Sequence, residues 1–516
     1  MRTAAVTETR GMVATQHHLA TEAAIDTLRL GGSAADAAVA AAAVLTVVDP
    51  RSTGLGGDLF ALYWTTKGGG PEALASAGVA PQGLSVEALL GAGHTTMPTA
   101  GPWSVTVPGA PAGWQALLRR HGALDIGRVL APAIALARDG AVVSPAVARE
   151  WTTAVPKLLG NAAAAATFLV DGVSPAEGAR LTNPDLAGTL ERFVREGAAP
   201  FYEGDLAARI AEAVQELGGP LTSEDLRSWT GPEWLEPISA RFHGLDVYEM
   251  PPPVQGLVVL EALRIYEGLA AQGRINQEHA TIESLKLAFD DANEHMADPL
   301  FSPVDVARLL SEGHIQARRS LISPGQVLPG NVGRPSDTVF VSVATEDVGS
   351  CSLIQSVYDG FGSGIVVPGT GMALQNRGSG FYLHPTHPNR PEPGKRPLHT
   401  ILPAMLGNGG QFRGCLGVVG GYMQPQGQVQ VLRNHLELGM TPQEAVDAPR
   451  FRVYKGRRLS LEAGYDQTVA EGLRERGHEI EPLDPFECGG AQLIVRDERG
   501  FQGGSDRRKD GAVAVL

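Results

Sequence analysis

Thr338-Val339-Phe340-Val341-Ser342-Val343-Ala344 and Ser350-Cys351-Ser352-Leu353-Ile354-Gln355-Ser356-Val357 are two strand-like runs separated by Thr345-Glu346-Asp347-Val348-Gly349, a five-residue loop containing glycine. The pattern predicts an antiparallel hairpin. With the hairpin symmetric about Asp347, Thr338 stands opposite Ser356, their Cβ atoms about 5 Å apart. Upstream, Leu321 to Asp337 holds three prolines and three glycines without periodicity, which predicts an exposed loop.

A threonine that opens a strand after a loop has two readings. One is an ordinary edge-strand residue. The other is the nucleophile of an enzyme that uses its own chain end: breaking the Asp337–Thr338 bond frees an α-amine with a pKa near 8. That amine takes the proton of the weakly nucleophilic hydroxyl without any histidine. Ser356 would hold and polarise the first hydroxyl. Before cleavage the same hydroxyl would attack the Asp337 carbonyl in an N-to-O acyl shift.

Outward from the hairpin, the sequence after Thr338 reads as short strands and glycine turns, with helices at 426–435 and near 466–475. Before it, helical spacing covers 18–30, then 34–47, capped by Ser33 and apolar all round, as a buried helix is. Ser52-Thr53-Gly54-Leu55-Gly56-Gly57 and the strand-like 59–64 follow, the glycines allowing close backbone approach. From Pro111 to about Glu312 the chain reads mainly as helices: 111–120, 126–138, 186–195, 205–217, 257–266 and 279–296, with a Thr222/Asp225 capping box.

The 516 residues are 43% hydrophobic and 19% charged, with 64 glycines and 36 prolines, a turn-rich globular composition. Length alone suggests three or four domains of ordinary size. A formal charge of −14 excludes a general affinity for nucleic acid or an anionic membrane, and the one basic run, Arg507-Arg508-Lys509, reads as a solvated tail. Three widely spaced cysteines suggest neither a disulfide framework nor a zinc site, and they fit a reducing compartment. The N-terminus lacks the apolar core of a signal peptide, and the longest apolar stretch, 34–48, is too short to span a bilayer. A cytoplasmic, soluble protein is expected.

Several segments together resemble the γ-glutamyltransferase family, the glutathione hydrolases: Gly11-Met12-Val13-Ala14, Gly31-Gly32-Ser33-Ala34-Ala35-Asp36, Gly54 to Gly57, Val107-Pro108-Gly109, Leu130-Ala131-Pro132-Ala133-Ile134, Leu285-Lys286-Leu287-Ala288-Phe289 and Asp298-Pro299. The series continues through Gly360-Phe361-Gly362-Ser363-Gly364, Lys395-Arg396-Pro397-Leu398, Gly420-Gly421, Ala448-Pro449-Arg450-Phe451 and Gly504-Ser505-Asp506, in the family's order over nearly the whole chain. The resemblance implies an α+β fold, the four-layer αββα sandwich of N-terminal-nucleophile hydrolases. It implies autoproteolysis into a large subunit, 1–337, and a small one, 338–516, which stay associated, with Thr338 as nucleophile. Ser356 falls on the second hydroxyl of the family's threonine pair. Gly420 and Gly421 fall on its oxyanion hole, where successive glycines let backbone N–H groups face a tetrahedral oxygen; by themselves they read as a turn.

Elsewhere the pattern departs. The family's carboxylate-gripping arginine aligns with Ala77, the asparagine of its glutamate pocket becomes Tyr358, an acidic partner becomes Gly380, and a serine pair becomes His399-Thr400. Arg377 sits at a pocket-lining position, where its guanidinium would bind a carboxylate bidentately from the opposite side. The segment 381–394 is shorter than the family's lid-bearing segment, which favours hydrolysis over transfer. The expected function is amide hydrolysis, glutathione hydrolase-like, with an oxamate amidohydrolase-like or other acylase activity on a small carboxylated amide as the alternative. A non-catalytic binding relative is the second alternative. No cofactor or metal is called for, and the partner is a small-molecule amide.

Other constellations carry less. Gly360 to Gly364 resembles a phosphate loop but leads into the strand-like Ile365-Val366-Val367 instead of a helix. His384 and His387, each followed by proline, read as a surface loop. His17, His18 and His279 read as capping or surface residues, and Cys351 as a small buried side chain. No Gly-x-Ser-x-Gly or His-Glu-x-x-His occurs.

Overall fold

The computed structural model describes residues 3–5, 9–273, 275–333 and 337–516. Of the loop expected over 321–337, residues 334–336 lie outside the described residues. The hairpin forms with the expected register: Val339 pairs with Gln355, Val341 with Leu353 and Ala344 with Ser350. It sits in the middle of a seven-stranded antiparallel sheet. On one side lie Gly11–Thr15 and Ala512–Val515; on the other lie Asp58–Trp64, Glu72–Ser76 and Glu233–Leu235.

A second antiparallel sheet of seven strands packs against the first, in the order Thr3–Ala5, Gly500–Ser505, Ala491–Asp497, Gln411–Val418, Ala404–Asn408, Leu245–Glu249 and Ile238–Phe242. Strand alternation assigns the faces. Phe340 and Ile354 point between the sheets and join a core with Leu416, Val418 and Leu493. Val339, Val341 and Val343 point the other way, into a helical layer built from His18–Arg29, Ala34–Val48, Ala110–His121 and Ile126–Asp139. Each of these fully buried valines contributes about 1.5–3 kcal/mol. The helices Gly256–Ala270, Gln277–His295 and Met423–Leu432 cover the second sheet. The architecture is the four-layer αββα sandwich, one fold in place of the three or four domains that length suggested.

The helix Ala34–Val48 shows how an apolar sequence tolerates one charge. Asp36 closes a capping box with Ser33, and the same oxygen, Oδ2, also accepts from the Ala123 N–H at 2.7 Å, so the buried carboxylate is held by donors from two segments. Among the described residues no helix is long and apolar enough to cross a membrane, and all three cysteines are free and buried.

Four expectations are corrected. Within the stretch read as mainly helical, Glu233–Leu235, Ile238–Phe242 and Leu245–Glu249 are strands; the signal was the two-residue turn His243-Gly244, with φ of 44° and 83°, a primed hairpin turn. Arg508 and Lys509 are not a solvated tail. Arg508 is buried between Glu462 and Asp506, and Lys509 Nζ lies 2.5 Å from Glu150. His279 is neither cap nor surface: it is buried, its Nδ1 3.1 Å from His478 Nε2. In the expected exposed loop, Ile322, Val327, Gly330 and Val332 are buried, because the segment runs against the helix Gln277–His295 and Lys286 donates to the Leu328 carbonyl.

On the same helix Asp291 accepts from Arg318 Nε at 2.6 Å and lies 2.9 Å from His314 Nε2. Burial opposes its ionisation, yet Arg318 and the neighbouring donors pull its carboxyl down to about 2. Burial pushes the adjacent Glu261 carboxyl well up, the opposite direction from Asp291. Because the folded-state value of Asp291 lies below its unfolded one, its contribution, about 2 kcal/mol, is present above pH 4 and lost as pH falls towards 2. Asp291→Asn should therefore lower the urea midpoint at neutral pH and flatten its change between pH 4 and 2.

Candidate active site

Thr338 immediately precedes the strand Val339–Thr345 and is buried. Its Oγ1 donates to the Asp337 carbonyl oxygen at 2.5 Å and lies 3.3 Å from Ser356 Oγ. Ser356 Oγ donates to the same carbonyl at 2.6 Å and accepts from the Tyr358 N–H at 2.8 Å. Two hydroxyls therefore bracket one peptide carbonyl, the one between Asp337 and Thr338. Gln424 Nε2 donates to Thr338 Oγ1 at 3.1 Å, and its Oε1 is fixed by the Leu402 N–H, also at 3.1 Å.

The neighbouring backbone is strained to make this possible. Tyr358 has φ of +83°, costly for a residue with a Cβ and found mostly where the surroundings enforce it. The turn aims the Tyr358 N–H at Ser356 Oγ while its carbonyl accepts from the Asp337 N–H at 2.8 Å. Gly57 lets the chain pass close to the nucleophile strand, since a Cβ there would lie 2.3 Å from the Ser356 carbonyl oxygen. Gly420 and Gly421, with φ of +114° and +60°, make the turn between the strand Gln411–Val418 and the helix Met423–Leu432. They stand four and three residues before the Gln424 that touches Thr338.

Arg377 is fully buried, its Cζ 4.2 Å from the centre of the Tyr358 ring, and its Nη1 donates to Thr400 Oγ1 at 3.2 Å. Nε and Nη2 have no hydrogen-bond partner among the described residues. Burial pulls the guanidinium down to about 10, partly offset by Asp58, so it remains a cation at neutral pH. An orphaned pair of buried N–H groups is expensive unless a ligand completes it. Tyr358, Asn376, Ser379, Tyr382 and Tyr422 line an open cleft of roughly 520 Å³.

His399 and Thr400 spend their polar atoms behind this cation. His399 Nε2 lies 3.0 Å from Asp58 Oδ2 and its Nδ1 2.7 Å from the Pro397 carbonyl. Burial lowers the His399 pKa, with Asp58 opposing. Asp58 Oδ1 accepts from the Gly78 and Gly109 N–H groups and from Gln375 Nε2. Since Asp58 is also the cross-strand partner of Ser356, one carboxylate ties the Arg377 wall to the nucleophile strand. Ala77 and Gly380 bring no charge to the site.

Three residues here escaped the sequence reading: Asp58, Gln424 and Arg51, which pairs with the Asp337 carboxylate. Asp58 had a visible sign, a charge at the head of an otherwise apolar strand after Gly56-Gly57. Gln424 and Arg51 had none, because each acts on a residue far away in sequence. His384 and His387 stay apart from the site's chemistry; His387 stacks on Tyr382 and contacts the Asn293 carbonyl. Metal-ligating side chains gather at His279–Glu283–His478 and at Glu261–Asp291–His314. In each, a carboxylate already has a cationic partner, Lys286 on Glu283 and Arg318 on Asp291.

A model of the gamma-glutamyltranspeptidase family matches residues 20–516. The glutathione hydrolase-like YwrD proenzyme of Bacillus subtilis is 36% identical, over 98% of this chain and 99% of its own. The oxamate amidohydrolase proenzyme of Klebsiella pneumoniae is also 36% identical, over 98% of each chain. In three dimensions the chain is similar to cephalosporin acylase from Bacillus halodurans, with a TM-score of 0.94 and 41% identity, covering 100% of this chain and 97% of the other. With a family model spanning nearly the whole length and full-length relatives above 30% identity, this chain belongs to the gamma-glutamyltranspeptidase family.

Proposed function

We propose that the chain is an amide hydrolase that cuts itself between Asp337 and Thr338 and then works through an acyl ester on Thr338. The observation that carries this reading is the pair of hydroxyls on the Asp337 carbonyl, with Thr338 Oγ1 2.5 Å from its oxygen. In maturation the Thr338 Oγ1–carbon bond forms, the Asp337–Thr338 C–N bond breaks, and the hydroxyl proton passes to the nitrogen. Water then cleaves the ester, leaving an Asp337 carboxylate and a free Thr338 amine. In turnover that amine takes the hydroxyl proton, Oγ1 attacks the substrate carbonyl, the amide C–N bond breaks with the proton leaving on the departing amine, and water then hydrolyses the acyl ester to restore the Thr338 hydroxyl. Ser356 and Gln424 hold Oγ1 in place, and the Gly420-Gly421 turn supplies the oxyanion donors.

Fragments 1–337 and 338–516 stay together in this reading, because both hairpin strands are bonded to the other fragment: Val341–Thr345 with Gly11–Thr15, and Ser350–Ser356 with Asp58–Trp64. Arg377 supports a substrate with a carboxylate close to the scissile amide, since a guanidinium fork matches that group. A small carboxylated amide such as oxamate is favoured. A γ-glutamyl amide is the second reading, favoured by the likeness to the glutathione hydrolase-like proenzyme.

Mass spectrometry and N-terminal sequencing of the purified protein test the first step. By length, the 54.1 kDa chain should give fragments of roughly 35 and 19 kDa, the smaller beginning at Thr338. A chain that stays whole would turn the reading towards a binding protein. On a panel of oxamate, glutathione and a γ-glutamyl anilide, oxamate should be cut fastest, and added dipeptide should divert little product to transfer. Preference for glutathione would move the substrate to the γ-glutamyl class.

A further inference from the structure

Asp337 is held by more than the two hydroxyls. Its carboxylate pairs with Arg51 Nη1, both side chains 14% exposed. Arg51 Nη1 also lies 3.4 Å from Glu150 Oε2, and Lys509 Nζ lies 2.5 Å from Glu150 Oε1. Burial works against ionising Glu150, yet Lys509 and Arg51 hold its carboxyl below the ordinary value. The Arg51 carbonyl accepts from the Phe361 N–H at 2.8 Å, and Lys157 Nζ ties the same loop through the Gly360 and Gly362 carbonyls. Gly360 packs close to the guanidinium, where a Cβ would lie 3.1 Å from Arg51 Nε. The guanidinium is thus built into a fixed frame.

We propose that Arg51 is a positioning residue for self-cleavage, acting through the side chain of Asp337. The proposal rests on the reading of Thr338 as the nucleophile. Asp337 is fixed at three points: its N–H on the Tyr358 carbonyl, its carboxylate on Arg51, and its carbonyl oxygen on Ser356 Oγ. The first two fix the Cα and its side chain; the third fixes the remaining rotation, about the Cα–carbonyl bond. Oγ1 therefore meets the carbonyl carbon in one orientation. Without the ion pair, Asp337 keeps only two of its three anchors and the attack geometry is populated only part of the time. The bond changes are those of maturation given above, with water as the only co-reactant; Arg51 exchanges no proton.

The test follows conversion of the freshly translated full chain into its two fragments by denaturing electrophoresis. Arg51→Met and Asp337→Asn should each slow the first-order rate about 10- to 100-fold, the size of effect that misplacing a reacting group produces. The double variant should be no slower than the slower single one, within about twofold, since both remove the same contact. Arg51→Lys should recover part of the rate. If Arg51→Met fails to fold, Asp337→Asn, outside any helix or strand, decides alone. Wild-type rates for Arg51→Met or Asp337→Asn, or multiplying effects in the double variant, would overturn the proposal while leaving the nucleophile in place. Cleavage of Thr338→Ala would instead overturn the reading on which it rests.

Discussion

Thr338→Ala should accumulate as one uncut chain of 54.1 kDa and lose amide hydrolysis by more than about 10⁴-fold. Two losses coincide. The variant has no oxygen to attack the Asp337 carbonyl, so the α-amine stays locked in a peptide bond, and with neither hydroxyl nor amine the substrate carbonyl has no nucleophile and no base. The fold should survive, because strand Val339–Thr345 and its register do not depend on the Thr338 side chain. The melting temperature should stay within a few degrees of an uncut wild-type chain, at the scale of about 1 kcal/mol for removing a methyl and a hydroxyl. Thr338→Ser, which restores the oxygen, should cut itself and regain activity. An active alanine variant would remove the basis of the proposed function.

Arg377→Met should lower kcat/KM for carboxylated amides by about 10²- to 10³-fold, as loss of one partner from a buried, hydrogen-bonded charge pair does. Most of it should appear in KM, because the carboxylate keeps the same contact in the ground and transition states. A neutral amide of similar size should be affected far less, so the ratio between the two substrates is the quantity to measure. Methionine keeps the methylene bulk over Tyr358 and limits repacking. Arg377→Lys should be intermediate, since an ammonium offers charge without the two-pronged fork. An unchanged ratio in Arg377→Met would show that the carboxylate binds elsewhere.

What sequence made legible was local. The hairpin, its register about Asp347, the buried helix capped by Ser33 and most helices of the first half follow from periodicity, turn residues and capping, which act between residues a few positions apart. The strands at 233–249 were missed because they are short and lie at or next to sheet edges, with Ser239 and Arg241 exposed, inside a stretch whose longer segments are helical. The basic run at 507–509 misled for the opposite reason: a charged tripeptide looks solvated until its partners, Glu462, Asp506 and Glu150, arrive from other elements.

By itself, then, the sequence determined the placement of one threonine opposite one serine across a hairpin, because strand pairing is a rule of adjacent segments. Tertiary structure alone decided what surrounds that pair. Gln424 reaches Thr338 from 86 positions away, Arg51 reaches Asp337 across 286, and His399 meets Asp58 across 341. Such contacts depend on how two sheets and their helices stack, and a buried charge finds its partner only once that stacking has excluded water.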